Sequence, residues 1–375
     1  MGFHAEQRDY DVVIVGAGPA GLGVGAALAR LEQVDFVILE REAVGASFRN
    51  WHDKMRMITP SFNAGGFGYP DLNAIAPRTS LAYSIRTEHP TGQEYADYLE
   101  AFADHYELPV QTGVAVAGVV PDGAGFVVQT SAGDFRARFV IWAAGEFFYP
   151  NIPSIAGAEW GVHFGTVRQW EQIAGSRFVV IGGYESGVDA AINLSRLGKR
   201  VTVLERTSVW SDDAPDPSLA LSPYTWDRLR AEHARGNIEM IAGAEAVAIE
   251  RTRDGYVVYD AEGCAYPSDA PPILATGFQT SARLIAPLFE WREDGFPLVN
   301  ATDESTLTPN LFLTGPSLRH DEIIFCFIYK FRQRFPVIAA TIAARMGIDA
   351  APLEEYRLYH MYLDDLSCCD DTCEC

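Results

Sequence analysis

One pattern occurs twice in this chain, and it restricts the possible folds more than any other feature. The stretch DYDVVIVGAGPAGLGVGAALARL begins at Asp9, and SRFVVIGGYESGVDAAINLSRLGKRVTVLE begins at Ser176. Each copy reads as a short, buried, β-branched strand, a glycine turn, an Ala- and Leu-rich helix and a second strand. That is the opening βαβ of a dinucleotide-binding fold. In the first copy Gly16, Gly18 and Gly21 fit G-x-G-x-x-G, with Pro19 and Ala20 opening the helix. The first glycine permits the tight turn, the second lets backbone approach a pyrophosphate, and the third lets helix and strand pack closely. The helix N-terminus attracts the phosphate charge. Glu40 ends the second strand, where an acid can bind ribose hydroxyls.

The remaining signals place these units in the chain. QTGVAVAGVVPDGAGFVVQTSAGDFRARFVIWAAG reads as strands joined by turns at Asp122-Gly123 and Gly133-Asp134. FFYPNIPSIAG, with Pro150 and Pro153, reads as a linker, and PPILATGFQ as a second crossing. NLFLTGP then reads as a buried strand and turn, followed by a long helix from about residue 321 to 346 and a shorter one near 352–366. The expected fold class is α/β: two Rossmann-like, three-layer ββα dinucleotide-binding domains, the second inserted in the first. Residues 1–154 and 276–350 form the first domain, 155–275 the second, and 351–375 a C-terminal helix and cysteine-rich tail.

Composition narrows the partners. A hydrophobic content of 48% with 21% charged residues suits a globular protein, and 375 residues support a sizeable core. The formal net charge of −21 disfavours nucleic acid and anionic membrane surfaces. No stretch approaches the roughly 20 apolar residues of a membrane-crossing helix. The polar first residues argue against a signal peptide. A cytoplasmic location follows as the expectation, where thiols are normally kept reduced.

The motifs VVIVGAGPAGLGVGAAL, RNWHDKMRMITPS, IWAAGEFFYPNIP, VVIGGYESGVDAAINL, ATGF and LFLTGP occur in an order that resembles the FAD-dependent pyridine-nucleotide-disulfide oxidoreductases with two dinucleotide-binding domains. Within them the chain is most similar to the thioredoxin-reductase-like and bacillithiol-disulfide-reductase-like branch, with flavin-containing monooxygenases next. The resemblance covers almost all of residues 10–346 and leaves out the tail. It implies FAD on the first motif and NADPH on the second. Gly16, Gly18 and Gly21 would hold the FAD pyrophosphate and Glu40 the adenosine ribose. Arg49, Trp51 and Thr59 would lie along the flavin, and Val116 would meet the adenine through its backbone. Ala144 and Gly145 match a turn beside the cofactor, and Gly315 would approach the ribityl chain. Many relatives carry Asp after that last glycine; here it is Pro316. The helix expected near residue 321 would point its N-terminus at the flavin, with Arg319 and His320 just before it.

The second motif departs from the pattern. Gly182, Gly183, Glu185, Ser186 and Gly187 keep its outline, but Tyr184 stands where the pyrophosphate-facing glycine should be. Arg206, just past VTVLE, is placed to pair with a 2′-phosphate and so to favour NADPH; its alternative role is a solvated side chain beside Glu205.

Cysteine usage poses the functional question. Thioredoxin reductases carry Cys-x-x-Cys shortly before the second glycine motif, yet WGVHFGTVRQWEQIAGSRF has no cysteine. Cys264 and Cys326 stand alone, and Cys368, Cys369, Cys373 and Cys375 fill the end of the chain in SCCDDTCEC. Cys368-Cys369 or Cys373-Glu374-Cys375 would close small strained disulfide rings, which are labile and suited to exchange. Like-charge repulsion from Asp370, Asp371 and Glu374 would be expected to raise the thiol pKa values and so to oppose reactive thiolates. A redox shuttle, a soft-metal ligand set and an incidental tail are the three readings of SCCDDTCEC.

The leading expectation is an FAD-dependent thiol–disulfide oxidoreductase working through these cysteines, with NADPH as reductant and no bound metal. Its expected partners are a small thiol or disulfide or a small redox protein, and its expected assembly is a homodimer. The alternative is a flavin-dependent monooxygenase that oxygenates N or S through a C4a-hydroperoxyflavin. Its usual F-x-G-x-x-x-H-x-x-x-W/Y/D fingerprint is not met, because Gly157, His163 and Trp170 fall at other spacings.

Overall fold

The computed structural model describes residues 8–62, 70–207, 210 and 216–367. The chain divides into two compact units. Among the described residues, the first comprises the N-terminal strand up to Arg49, then the stretch within Pro60–Glu146, then 280–367. The second holds Asn50–Thr59 and Phe147–Gln279, so its main body is inserted in the sequence of the first.

In the first unit, β1 (Arg8–Val15), α1 (Pro19–Ala29) and β2 (Phe36–Leu39) form the βαβ opening. Val12, Val13 and Ile14 are fully buried, as a central strand covered on both faces requires. Helix α2 (Gly92–His105) and β3 (Val110–Gln111) follow. Then come β4 (Val116–Asp122), β5 (Gly125–Thr130) and β6 (Phe135–Trp142). The sheet runs β3–β2–β1–β6–β5–β4, and a later strand, Leu311–Leu313, also pairs with β6. Parallel register sets Val15 beside Leu39 and Trp142, and Trp142 beside Leu313. Four strands therefore end at one edge, where open α/β sheets bind ligands. Gly123, with φ of 60°, makes the expected turn between β4 and β5.

The C-terminal part differs from its sequence reading. The helix expected from residue 321 is preceded by a hairpin, Arg319–His320 against Ile323–Ile324, and helical turns begin at Ile328. Asp321 has a φ of 48°, and the β-branched pair that follows favours strand. Pro336 lies in the first turn of the helix Phe335–Met346, preceded by a 3-10 turn at Arg332–Arg334. Lacking an N–H, Pro336 cannot extend the hydrogen-bond ladder of the turn before it. Over the expected second helix there is only the 3-10 turn Ala351–Glu354 and the four-residue helix Glu355–Leu358. Buried Arg334, paired with Asp303, donates to the Leu363 carbonyl at 2.5 Å and holds this segment.

The second unit repeats the plan. Its elements are β7 (Val162–His163), β8 (Arg177–Ile181), α3 (Glu185–Arg196), β9 (Arg200–Glu205), α4 (Pro223–His233) and β10 (Ile238–Ala242). The antiparallel β11 (Ala246–Thr252), β12 (Gly255–Asp260) and β13 (Ala265–Ser268) follow, then β14 (Ile273–Leu274). The parallel sheet runs β10–β9–β8–β14–β7. Phe178, Val180, Val188 and Ile192 lie in its core, which binds α3 to the sheet. Among the described residues, no helix is long and apolar enough to cross a membrane.

Candidate functional site

The first glycine turn sits at the strand edge of the first unit. Gly16 has φ of 106°, and a methyl group on it would lie 2.6 Å from the Ala143 carbonyl oxygen, just past β6. A methyl on Gly21 would overlap the Gly16 carbonyl. Only glycine fits at either position. Gly18 is different: it caps α1 with φ of −86°, and a methyl there would meet nothing within 4 Å. Its glycine keeps open the space in front of a helix N-terminus, where phosphate is favoured. Pro19 starts α1, and Ala20 is buried beneath the turn.

The neighbouring predicted residues converge here within the first unit. Glu40 Oε2 accepts from the Ala17 N–H at 2.9 Å, and its Oε1 from the Glu42 N–H at 2.9 Å, which fixes the carboxylate beside the turn. The Val114 N–H donates to the Glu40 carbonyl, so β4 and Val116 begin nearby. Ala144 and Gly145 continue β6; Gly145 has φ of 65°, and the space its side chain would take is open. Gly315 follows Leu311–Leu313 with φ of 100°, 3.2 Å from the Ala20 methyl by the same construction. Beside it the buried hydroxyls of Thr314 and Ser317 have no hydrogen-bond partner among the described residues. An open cradle, tight glycine packing around it and spare donors suit a dinucleotide. Arg49 is held at 3.1 Å from Asp97 and 2.6 Å from Glu100 on α2. Trp51 and Thr59 lie in the stretch grouped with the second unit.

The second glycine turn has the same frame. Gly182 has φ of 100°, and a methyl on it would overlap the Ala275 carbonyl; one on Gly187 would overlap the Gly182 carbonyl. Glu205 takes the place of Glu40, accepting from the Gly183 N–H at 2.6 Å and from Thr207 N–H at 3.1 Å. The turn itself is covered. Tyr184 caps α3 with φ of −86°, as Gly18 caps α1, but its hydroxyl donates to the Ala220 carbonyl at 2.7 Å. Trp210 Nε1 donates to the Gly183 carbonyl at 2.7 Å, and its ring lies where a Gly183 side chain would go. Glu185 spends its carboxylate on the Ser222 N–H and the Thr225 hydroxyl, both at 2.5 Å. Ser186 follows in the first turn of α3. Arg206 is exposed and forms no ion pair or hydrogen bond among the described residues.

Three histidines and one carboxyl complete the picture. His163 Nδ1 accepts from the Gly165 N–H at 3.1 Å, so Nε2 donates to the Gly277 carbonyl at 2.9 Å. Burial lowers its pKa and keeps it neutral. His320 is bonded to Asp303 at 2.6 Å. Buried His52 contacts Asp189 at 2.9 Å, and Asp189 also takes Arg228 at 2.6 Å. Burial raises the Asp189 carboxyl, but these partners hold it below its ordinary value. The sequence reading did not single out this triad, whose members join only through tertiary contacts. Glu146, directly after Gly145, was also missed: burial pushes its carboxyl up to about 7, with Arg319 opposing. Among the described residues, no group of His, Cys, Asp and Glu is placed to hold a metal. Cys368, Cys369, Cys373 and Cys375 lie outside the described residues.

Comparison with known proteins places this frame. A family model described as pyridine nucleotide-disulphide oxidoreductase matches residues 13–315. An uncharacterized oxidoreductase, CzcO, of Bacillus velezensis is 30% identical over 52% of this chain and 54% of its own. The chain spans about half the length of the curated relatives it matches. Among solved structures, bacillithiol disulfide reductase from Staphylococcus aureus superposes with a TM-score of 0.74 at 22% identity, covering 90% of this chain and 99% of that one. A flavin-containing monooxygenase from Stenotrophomonas maltophilia superposes with a TM-score of 0.73 at 19% identity, covering 91% and 100%.

Proposed function

The chain belongs to the pyridine nucleotide-disulphide oxidoreductase family, and on that premise we propose that it is an FAD-dependent thiol–disulfide oxidoreductase with NADPH as reductant and its C-terminal cysteines as the exchanging pair. Bound FAD supplies two-electron exchange between a nicotinamide and a thiol–disulfide couple. The first cradle orients it: Gly18 and the start of α1 face the pyrophosphate, Glu40 the ribose, and Gly145 and Gly315 leave room along its length. In the second unit, Gly183, Ser186 and Arg206 receive the nucleotide, with Arg206 meeting a 2′-phosphate. The substrate is a small thiol or disulfide, or a small redox protein, and the protein works as a cytoplasmic homodimer.

The observation that carries this reading is a pair of matched glycine cradles in a chain whose clustered cysteines are Cys368, Cys369, Cys373 and Cys375. Truncation after Leu366 tests it. NADPH should still reduce the flavin in the shortened chain, because both cradles are intact. Turnover of a disulfide, or flavin reduction by a dithiol, should collapse. Dithiol–disulfide turnover near the wild-type rate would end the proposal. Oxygen-dependent oxidation of an amine or sulfide by the truncated chain would move the assignment to a monooxygenase.

A further inference from the structure

A cavity of about 170 Å³ lies in the second unit, at the C-terminal end of α3. Its walls come from the segment Asn50–Thr59, from Trp170 and Glu171, and from α3 and α4. Met55 packs that first segment on the core of the unit. Helix α3 has 12 residues, so its end lies roughly 18 Å from the Tyr184 turn, at about 1.5 Å per residue. Three guanidinium groups line the cavity, and each keeps N–H groups unspent among the described residues. Arg56 uses only Nη1, on the Asp53 carbonyl at 3.0 Å and the Met55 carbonyl at 2.9 Å. Arg196 uses only Nε, on Glu232 at 3.0 Å. Arg228 uses Nη2, on Asp189 at 2.6 Å, with its guanidinium 4.9 Å from the Tyr224 ring centre. Their carboxylates are shared: Glu232 also takes Arg235 at 3.0 Å, and Asp189 also takes His52 at 2.9 Å. Lys54 is held by Asp53 at 2.6 Å, with Glu171 at 4.0 Å. Arg56 has no carboxylate partner among the described residues. Around the cavity five cationic side chains therefore face four carboxylates, which leaves one positive charge over in a chain of net charge −21. The rest of the wall is apolar, from Leu197 and the rings of Tyr224 and Trp170. Trp170 is buried, and its indole N–H has no acceptor among the described residues.

We propose that this cavity binds a small monoanionic carboxylate with a flat apolar body, at a site that shares no residue with either glycine cradle. A guanidinium fork meets a carboxylate through two parallel N–H···O bonds, and Arg56 is the fork that no carboxylate of the chain engages. Phosphate offers the same acceptor chemistry, but the local charge favours the smaller anion. One positive charge is left over, and Glu171 in the wall repels a second negative charge on the ligand. The aromatic and aliphatic walls suit a flat apolar body. The size agrees: an apolar cavity of about 150 Å³ holds benzene, and this one adds room for a carboxylate. The site is independent of whether a thiol is the redox substrate.

Isothermal titration of the full-length FAD protein with benzoate is the test. Benzoate should bind at one site, and inorganic phosphate and benzyl alcohol about tenfold more weakly or worse. R56M should weaken benzoate about tenfold, because it removes the unengaged fork. R56K keeps the charge without the fork and should recover only part of that loss. E171Q should tighten benzoate about threefold, since it removes a like charge at an exposed position. Leu197 is exposed, so L197E keeps the fold and brings a carboxylate to the wall; it should weaken benzoate about tenfold and decides the matter if R56M does not fold. Saturating NADPH should leave the benzoate affinity unchanged. Absence of benzoate binding in the wild type, wild-type affinity in R56M or L197E, tighter binding of phosphate, or displacement of benzoate by NADPH would each overturn the proposal.

Discussion

The two glycine cradles share a frame and differ in what covers it. Gly16 and Gly182 both take positive φ under a carbonyl that follows the next parallel strand. Gly21 and Gly187 both press on the turn, and Glu40 and Glu205 both pin its second residue. The first cradle is open at Gly18. The second carries Tyr184 in the same backbone conformation, tied to the Ala220 carbonyl, with Trp210 over Gly183. A shared frame therefore does not mean shared occupancy. An open cradle suits a resident cofactor, whereas a covered one suits a ligand that must displace side chains on arrival and release them on leaving.

The largest effect should come from closing the open cradle. A Cβ added at Gly18 meets nothing within 4 Å, so Gly18→Val should leave the apoprotein's thermal stability intact. Its isopropyl group fills the pyrophosphate space, and FAD affinity should drop on the order of a thousandfold, about 4 kcal/mol. Loss of flavin with unchanged apoprotein Tm, measured by absorbance and calorimetry, is the expected pair of results. Full FAD retention would mean that the cradle is not the site.

Opening the covered cradle is the reciprocal change. Tyr184→Gly removes the ring and its bond to Ala220 and should tighten NADPH about tenfold, or ~1.4 kcal/mol. Isothermal titration of the FAD protein measures this. Unchanged or weaker binding would mean that Tyr184 supports the nucleotide instead of competing with it.

The smallest effect separates the two turns by pH. The Gly145 carbonyl accepts from the Ser281 N–H, whereas the Gly277 carbonyl accepts from the Asn151 N–H and, in addition, from neutral His163. The His163 pKa is lowered in the folded chain, so the unfolded chain binds more protons as pH falls below about 6.5. Stability should therefore decline as pH falls through that value, by at most about 1.4 kcal/mol per pH unit. Urea unfolding at pH 7.5 and 5.5, compared with His163→Asn, isolates the contribution. An identical decline in the variant would remove His163 from the explanation.

Much of the frame was legible because it depends on local pattern. Glycine spacing, β-branched strands and Glu40 are all set within about 30 residues, and the structure has them in the expected elements. The cover on the second cradle was not legible, because Trp210, Ala220 and Thr225 reach back across 27 to 40 positions to Gly183, Tyr184 and Glu185. Glu205 read as a neighbour of Arg206, and its match to Glu40 emerged only from the hydrogen bond to Gly183. Glu146 looked like any acid after a turn, since burial and Arg319 are tertiary facts. The late start of the final helix followed from Asp321 in a turn conformation and from Pro336, two local features that apolar content had masked.

The most direct test of the proposed function, that NADPH reduces FAD bound to this chain, is anaerobic stopped-flow mixing of the FAD-loaded protein with NADPH. The account predicts loss of flavin absorbance in the wild type and in the chain ending at Leu366, with half-saturation at lower NADPH in Tyr184→Gly. It also predicts a weaker response to NADH, with that preference reduced by Arg206→Ala. Flavin absorbance that stays unchanged with NADPH in all of these proteins, while Tyr184→Gly binds the nucleotide, would contradict it.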